Sequence, residues 1–160
     1  MEDLLNKESV KRVSKVLNDF DQSIKVQNLD KTARTAKDAA ESLKTEIGSI
    51  VKSLLLRRQS SFLLCLVAGD KRCSLNKVKK ILNQKDVSMA NADQVKQITG
   101  YTIGGVSPIG HLKTINIYID KSLSRFSNIF AAAGHPNCIF KINFSNLQKI
   151  TNGTIEEIIE

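Results

Sequence analysis

The chain has 160 residues, 41% of them hydrophobic and 25% charged, a balance that fits one globular domain over residues 1–160 and excludes a disordered or fibrous chain. Lys and Arg exceed Asp and Glu by 24 to 16, giving a net charge of +8, which points to a polyanionic partner because clustered cations displace counterions from phosphates. No apolar run approaches the roughly 20 residues that a membrane-spanning helix needs, so no membrane association is expected.

The start, Met1-Glu2-Asp3, is acidic and lacks an apolar signal core, so a cytoplasmic protein is expected. Val10, Val13 and Leu17 recur at helical spacing and predict a helix over residues 7–19. Residues 24–29 read as a short edge strand. Ala36, Ala39, Ala40 and Leu43 share one face of a second helix, expected to start at a Thr32 N-cap. Ile50 to Leu56 and Phe62 to Ala68 are apolar runs split by the polar stretch from Arg57 to Ser61, which predicts a hairpin.

Helices are expected over Leu75 to Leu82 and Asn91 to Thr99, the second stopped by Gly100. Ile115 to Ile119 alternates as a half-buried strand should, and residues 128–133 and 138–142 predict two more strands around the tight connection Gly134-His135-Pro136-Asn137. A helix over residues 145–151 and a strand over residues 154–158 end the chain. Strands and helices are mixed without regular alternation, so the fold class expected is α+β and not doubly wound.

Five features carry possible chemistry. Lys52 lies in an apolar strand, where a cation needs a partner or a route to water; it either snorkels or reaches into a cleft. The loop Tyr101 to His111 holds Gly104, Gly105 and Gly110 together with Pro108. Such glycines permit close backbone approach and N–H groups aimed at an oxyanion, although a plain turn fits equally well. It is neither a Walker loop, which needs Gly-Lys-Ser/Thr, nor a dinucleotide fingerprint, which needs a preceding strand.

His111 and His135, the only two histidines, lack the acidic or thiol neighbours of a metal site. Cys65, Cys73 and Cys138 form no Cys-x-x-Cys pair, so neither metal nor cofactor is expected; reduced thiols suit a cytoplasm. Lys71, Arg72, Lys77 and Lys80 belong to a basic stretch that is either a solvated face or a track for a nucleic-acid backbone.

Arg34-Thr35-Ala36, Ile50 to Leu54, Val67 to Asp70, Thr99-Gly100-Tyr101, Gly104 to His111 and Ala131 to Pro136 occur in this order. Together they resemble the YbaK/EbsC family, whose domain is also inserted in many bacterial prolyl-tRNA synthetases. The resemblance runs from about Ser9 to Ile158.

It implies a mixed, partly barrel-like β-sheet surrounded by helices. It also implies hydrolysis of the ester joining a wrong amino acid to tRNA, typically tRNA(Pro) carrying a small residue such as alanine. The family's Gly-x-x-x-Pro motif falls on Gly104 and Pro108, with Gly105, Val106 and Ser107 between them, and its lysine falls on Lys52. Ser107 stands where many relatives have proline. Thr35, Ser53, Ile109, Gly110, Gly134 and His135 would bind substrate. Lys71, Arg72, Lys77 and Lys80 would follow the tRNA backbone, with prolyl-tRNA synthetase as a further partner. Family members are thought to let the substrate's ribose hydroxyl help activate water, which suits the lack of an obvious protein nucleophile. A non-catalytic tRNA- or synthetase-binding module and a hydrolase of other small acyl esters are the alternatives.

Overall fold

The computed structural model describes residues 3–30 and 35–160; Thr32 and Arg34, singled out above, lie outside these. The first helix, α1 (Glu8–Phe20), buries Val10, Val13 and Leu17 completely. A buried aliphatic side chain of this size is worth roughly 1.5–3 kcal/mol, so this stripe fixes how the helix docks. The edge strand β1 is only Gln27–Asn28. Helix α2 (Ala36–Leu43) is capped by Thr35, whose hydroxyl accepts from the Asp38 amide at 3.1 Å, satisfying a donor that the helix start leaves open.

A long hairpin follows, β2 (Val51–Arg58) and β3 (Ser61–Ala68), in full register from Val51 opposite Ala68 to Arg58 opposite Ser61. It exceeds the expected hairpin: Arg57, Arg58 and Ser61 belong to the strands, and only Gln59 and Ser60 turn. The two arginines are stable there because they have partners. Arg57 grips Asp86 through two bonds of 2.7 and 3.2 Å, and Arg58 donates to Gln84 at 2.9 Å.

Helix α3 (Leu75–Leu82) matches its expected bounds. The sequence pattern missed β4 (Val87–Met89), which pairs with the far end of β2 from Leu56 to Arg58. Helix α4 (Ala92–Thr99) starts at a capping box in which Asn91 accepts from the Gln94 amide at 2.8 Å and Gln94 answers at 2.9 Å; it ends at Gly100, whose φ of 80° suits glycine. Strands β5 (Asn116–Asp120), β6 (Ile129–His135) and β7 (Cys138–Ile142), helix α5 (Phe144–Thr151) and strand β8 (Thr154–Glu156) complete the chain. β8 stops short of the expected Ile158, whose amide instead donates to Asp120 Oδ1 at 2.8 Å.

The strands form a five-stranded mixed sheet, β4-β2-β3-β5-β8, and a three-stranded antiparallel sheet, β1-β7-β6. A parallel bridge from Ile50 to Phe130 joins them at one corner, giving the partly barrel-like α+β architecture. β3 lies centrally, and Leu63 to Ala68 are at most 1% exposed, as both faces of the sheet are covered. One face meets α1 and the smaller sheet in the main core; the other carries Leu56, Leu63, Cys65 and Val67 against α3. Among the described residues no helix is long and apolar enough to cross a membrane.

Candidate active site

β4 covers β2 only from Leu56 onward, so between the Leu55–Ala90 bond and the Ile50–Phe130 bridge the edge of β2 is uncovered among the described residues. The Leu55 carbonyl accepts from the Ala90 amide at 3.0 Å, away from β3. Because antiparallel strands alternate the direction of their backbone groups, Ser53 and Val51 aim theirs the same way. That way lies a cleft of about 380 Å³, within the range of small-molecule sites.

Val51 to Leu55 form one wall of the cleft. Thr35, Ala36 and Ala39 at the start of α2 form a second. Met89, Ala90, Ile103, Gly104 and Val106 make a third, and Phe130 to Ala132 with Ile139 close it. The lining is mainly aliphatic, and Lys52, Ser53 and Thr35 supply its polar side chains.

Ser53 Oγ is buried without a hydrogen-bond partner. A buried hydroxyl left unpaired is costly, and this one sits on the cleft wall beside its own outward-facing amide and carbonyl.

Lys52 is opposite Val67 and shares its side of the sheet with Leu54 and Leu56, as strand alternation requires. Its ammonium neither lies deep in apolar packing nor runs free. It lines the cleft and donates to the Lys71 carbonyl in the turn after β3. Burial, with help from Arg72, pulls its pKa below the usual lysine value, while Asp70 and Cys73 act in the opposite direction.

The glycine loop is an Ω-like excursion closed at its base: Leu112 N–H donates to the Thr99 carbonyl at 3.2 Å and Lys113 N–H to that of Ile98 at 3.1 Å. Gly104, with φ of 96°, and Val106 face the cleft. Gly105 packs directly on β6: a Cβ there would lie 3.0 Å from the backbone of His135. Its N–H is committed to the Thr102 carbonyl at 3.0 Å, so the loop does not offer an unbroken row of free amides.

Ser107, Pro108 and Ile109 are buried, and with Gly110 they lie behind the cleft wall. The Tyr101 hydroxyl contacts the Ile109 and Gly110 carbonyls at 2.7 and 2.9 Å. The Arg12 guanidinium stacks 4.9 Å over the Tyr101 ring and donates to the Gly110 carbonyl at 3.1 Å. Burial pushes the Tyr101 pKa up to about 12, keeping the hydroxyl protonated as a donor. His111 Nε2 bonds the Ser107 carbonyl at 2.7 Å, and burial lowers its pKa. Arg12 thus braces the loop, yet it is separated from Gly110 by 98 positions and looks in sequence like one more surface charge.

Gly134 and His135 lie beneath the loop, outside the cleft lining. Gly134 has φ of 89°, and its carbonyl accepts from Ser9 Oγ at 2.8 Å. His135 Nδ1 accepts from the Asn137 amide at 3.0 Å. Of the basic residues, Lys71 and Arg72 occupy the turn next to Lys52. Lys77 and Lys80 lie farther along α3, where Lys77 Nζ donates to the Ile159 carbonyl at 2.6 Å. No group of three or more metal-ligating side chains occurs among the described residues.

Comparison with known proteins agrees with this architecture. The family described as aminoacyl-tRNA editing domain matches residues 30–150. EbsC of Enterococcus faecalis, a candidate Cys-tRNA(Pro)/Cys-tRNA(Cys) deacylase, is 30% identical over 78% of this chain and 76% of its own. The YwhH protein of Bacillus subtilis is 28% identical over 89% of this chain and 91% of its own. The crystal structure of a candidate trans-editing enzyme for prolyl-tRNA synthetase superposes with a TM-score of 0.90 at 32% identity, covering 96% of this chain and 98% of the other. On the extent of these matches the chain belongs to the aminoacyl-tRNA editing domain family.

Proposed function

We propose that the chain is a trans-editing deacylase that hydrolyses the ester between a small wrong amino acid, alanine first, and tRNA(Pro). The observation that carries this reading is the cleft along the uncovered edge of β2. Its aliphatic walls can hold a small side chain, and the Ser53 amide, carbonyl and hydroxyl face the polar head of an aminoacyl ester. The names borne by EbsC and by the solved relative support proline tRNA as the acceptor.

Water attacking the ester carbonyl moves negative charge onto its oxygen. The amides of Gly104 and Val106, whose residues line the cleft, would meet that charge. Lys52 leaves the Lys71 carbonyl to pair with a phosphate or ribose oxygen of the terminal nucleotide, setting the ester against the loop. The ribose hydroxyl beside the ester helps to activate the water. Ser107, Pro108, Ile109 and Gly110 hold the loop's shape from behind, and Gly134 and His135 support it from below. Lys71 and Arg72 guide the acceptor end, and Lys77 and Lys80 meet the backbone farther away. A pocket of this kind excludes a larger residue by size, which discriminates well only when the difference exceeds a methylene. A cytoplasmic location and action beside prolyl-tRNA synthetase complete the proposal.

The test is single-turnover deacylation of tRNA(Pro) charged in turn with alanine, cysteine, serine and proline, by wild type and Lys52→Ala. Faster release of alanine than of proline, lost in the variant, supports the reading. Rates equal to buffer for every ester, with retained tRNA binding, would instead establish a binding module. That second reading draws on the lining itself, which has no carboxylate or imidazole among its described residues.

A further inference from the structure

The proposed role of Lys52 leaves one question about its surroundings. An ammonium that must pair with substrate also feels a carboxylate, Asp70, that would compete for it. The charged and titratable groups acting on Lys52 are Arg72, Asp70 and Cys73, all on the segment that follows β3. Cys73 in turn interacts with Cys65 of β3 and feels Asp120, Lys52 and Glu160. Asp70 is therefore the carboxylate that acts on Lys52 directly.

Asp70 is already engaged. Arg125, at the end of the 3₁₀ turn Lys121–Arg125, donates to both carboxylate oxygens, at 2.7 and 3.0 Å. A fork-to-fork pair of this kind fixes direction as well as charge. Arg125 is itself held: its Nε donates to the Ser122 carbonyl at 2.7 Å, and its guanidinium lies 4.9 Å over the Phe126 ring. Phe126 and Asp70 both close on Gly48, where an added Cβ would meet them at 2.7 and 3.0 Å. The clamp thus joins the segment after β5 to the turn Gly69–Arg72, and the Lys71 amide closes that turn on the Ala68 carbonyl at 3.0 Å. The carbonyl of Lys71 itself receives Lys52.

We propose that Arg125 is a positioning residue for Lys52: by holding both oxygens of Asp70 it fixes the turn that presents the Lys71 carbonyl, and it keeps that carboxylate from the lysine. Lys52 then rests on a neutral acceptor, from which it transfers to substrate at lower electrostatic cost than from a carboxylate. This rests on the reading of Lys52 as a substrate-pairing group, and it adds a residue 73 positions away that is not among the residues lining the cleft.

The two partners of the clamp predict opposite changes. With Arg125 removed, Asp70 turns to Lys52 and captures it. With Asp70 neutralised, no capture is possible, and Lys52 loses a group that supports its charge. The experiment measures kcat and KM for deacylation of alanyl-tRNA(Pro) from pH 6 to 9 in wild type, Arg125→Gln, Arg125→Lys, Asp70→Asn and the Arg125→Gln/Asp70→Asn double variant. Arg125→Gln is expected to lose about tenfold in kcat/KM and to move the alkaline limb of the profile upward. Asp70→Asn moves that limb downward. The double variant regains most of the activity lost in Arg125→Gln, and Arg125→Lys falls between the two. A double variant no more active than Arg125→Gln, or limbs that stay in place, would overturn the proposal and leave the clamp a structural brace. If Arg125→Gln fails to fold, the downward shift in the near-isosteric Asp70→Asn decides the matter, and an unmoved limb refutes it. Failure of the underlying reading is separate: Lys52→Ala would then retain wild-type turnover.

Discussion

Gly105→Ala tests how the loop is seated. The new Cβ would lie 3.0 Å from His135 Cα and N and 3.2 Å from its carbonyl carbon, where ordinary contacts fall between 3.4 and 4 Å. All three atoms are backbone at the end of β6, so no side chain can swing aside. The loop or the turn must yield by roughly half an ångström, and overpacking of this sort costs on the order of 2 kcal/mol. For a chain of this length that is about 4–8 °C in Tm.

Gly104 and Val106 flank the strained residue on the cleft wall, so the displacement reaches the substrate. A misplacement approaching 1 Å can cost on the order of 100-fold in rate, and a loss in kcat/KM of about tenfold or more is expected. The assay pairs thermal melts with single-turnover deacylation well below the Tm. Gly153→Ala is the control: it is crowded too, at 2.8 Å from Ile119 Cδ1, but it precedes β8 at the opposite edge of the sheet. It should lower Tm and spare turnover. Native turnover in Gly105→Ala, or equal turnover loss in Gly153→Ala at matched Tm, would refute the reasoning.

Ser53→Ala removes a hydroxyl that has no partner in the free protein, so Tm should stay within about 2 °C or rise, because an unpaired buried polar group costs stability; deacylation should nevertheless fall, and an unchanged rate would show that the hydroxyl never meets substrate. His111 is buried with a lowered pKa, so the unfolded chain takes up its proton first as pH falls. Its contribution to stability is full above the ordinary value of 6.5 and is lost below it toward the folded value; urea melts should weaken over that interval in wild type and less in His111→Gln. If Lys80 meets the tRNA backbone, Lys80→Gln should reduce the slope of log affinity against log salt by about 0.9; Lys77, already engaged by the Ile159 carbonyl, should change it less, and equal slopes for both variants and wild type would remove α3 from the interface.

Much of the fold was legible because its signals are local. The apolar runs of β2 and β3, the spacing of Leu75, Val78 and Leu82, and Gly100 after α4 each act within a few residues. What escaped depends on distant partners or on very short elements. Val-Ser-Met of β4 is too short for periodicity to register. Arg57 and Arg58 resemble turn residues until Asp86 and Gln84, more than 25 positions away, are placed beside them.

The site divides the same way. Lys52 draws notice because a cation in an apolar strand demands explanation, and Gly104 because glycines cluster around it. Ser53 becomes distinctive only once β4 is known to leave that part of β2 uncovered. Ser107 to Gly110 look like substrate contacts in sequence, whereas Tyr101 and Arg12 draw that half of the loop inward. Arg12 and Arg125 gave no sequence signal, since each makes its decisive contact across more than 50 positions.

An uncovered sheet edge is ordinarily a hazard, because its unpaired backbone groups invite another strand. Here the corner where β2 leaves β4 and meets β6 through one bridge closes around that edge, and α2 and the glycine loop narrow access to it. Under the proposed function the same backbone groups would serve as ligands of fixed direction in an aliphatic cleft, where a hydrogen bond is stronger than in water. For a reaction in which the substrate supplies a hydroxyl, fixed donors and a correctly placed cation can replace an imidazole or carboxylate. Catalysis of the proposed kind would depend on geometry more than on proton affinity. Residues that hold the walls, such as Arg12 under the loop and Arg125 behind the turn, would gain weight in proportion, since no carboxylate or imidazole among the described lining residues could compensate for a displaced one.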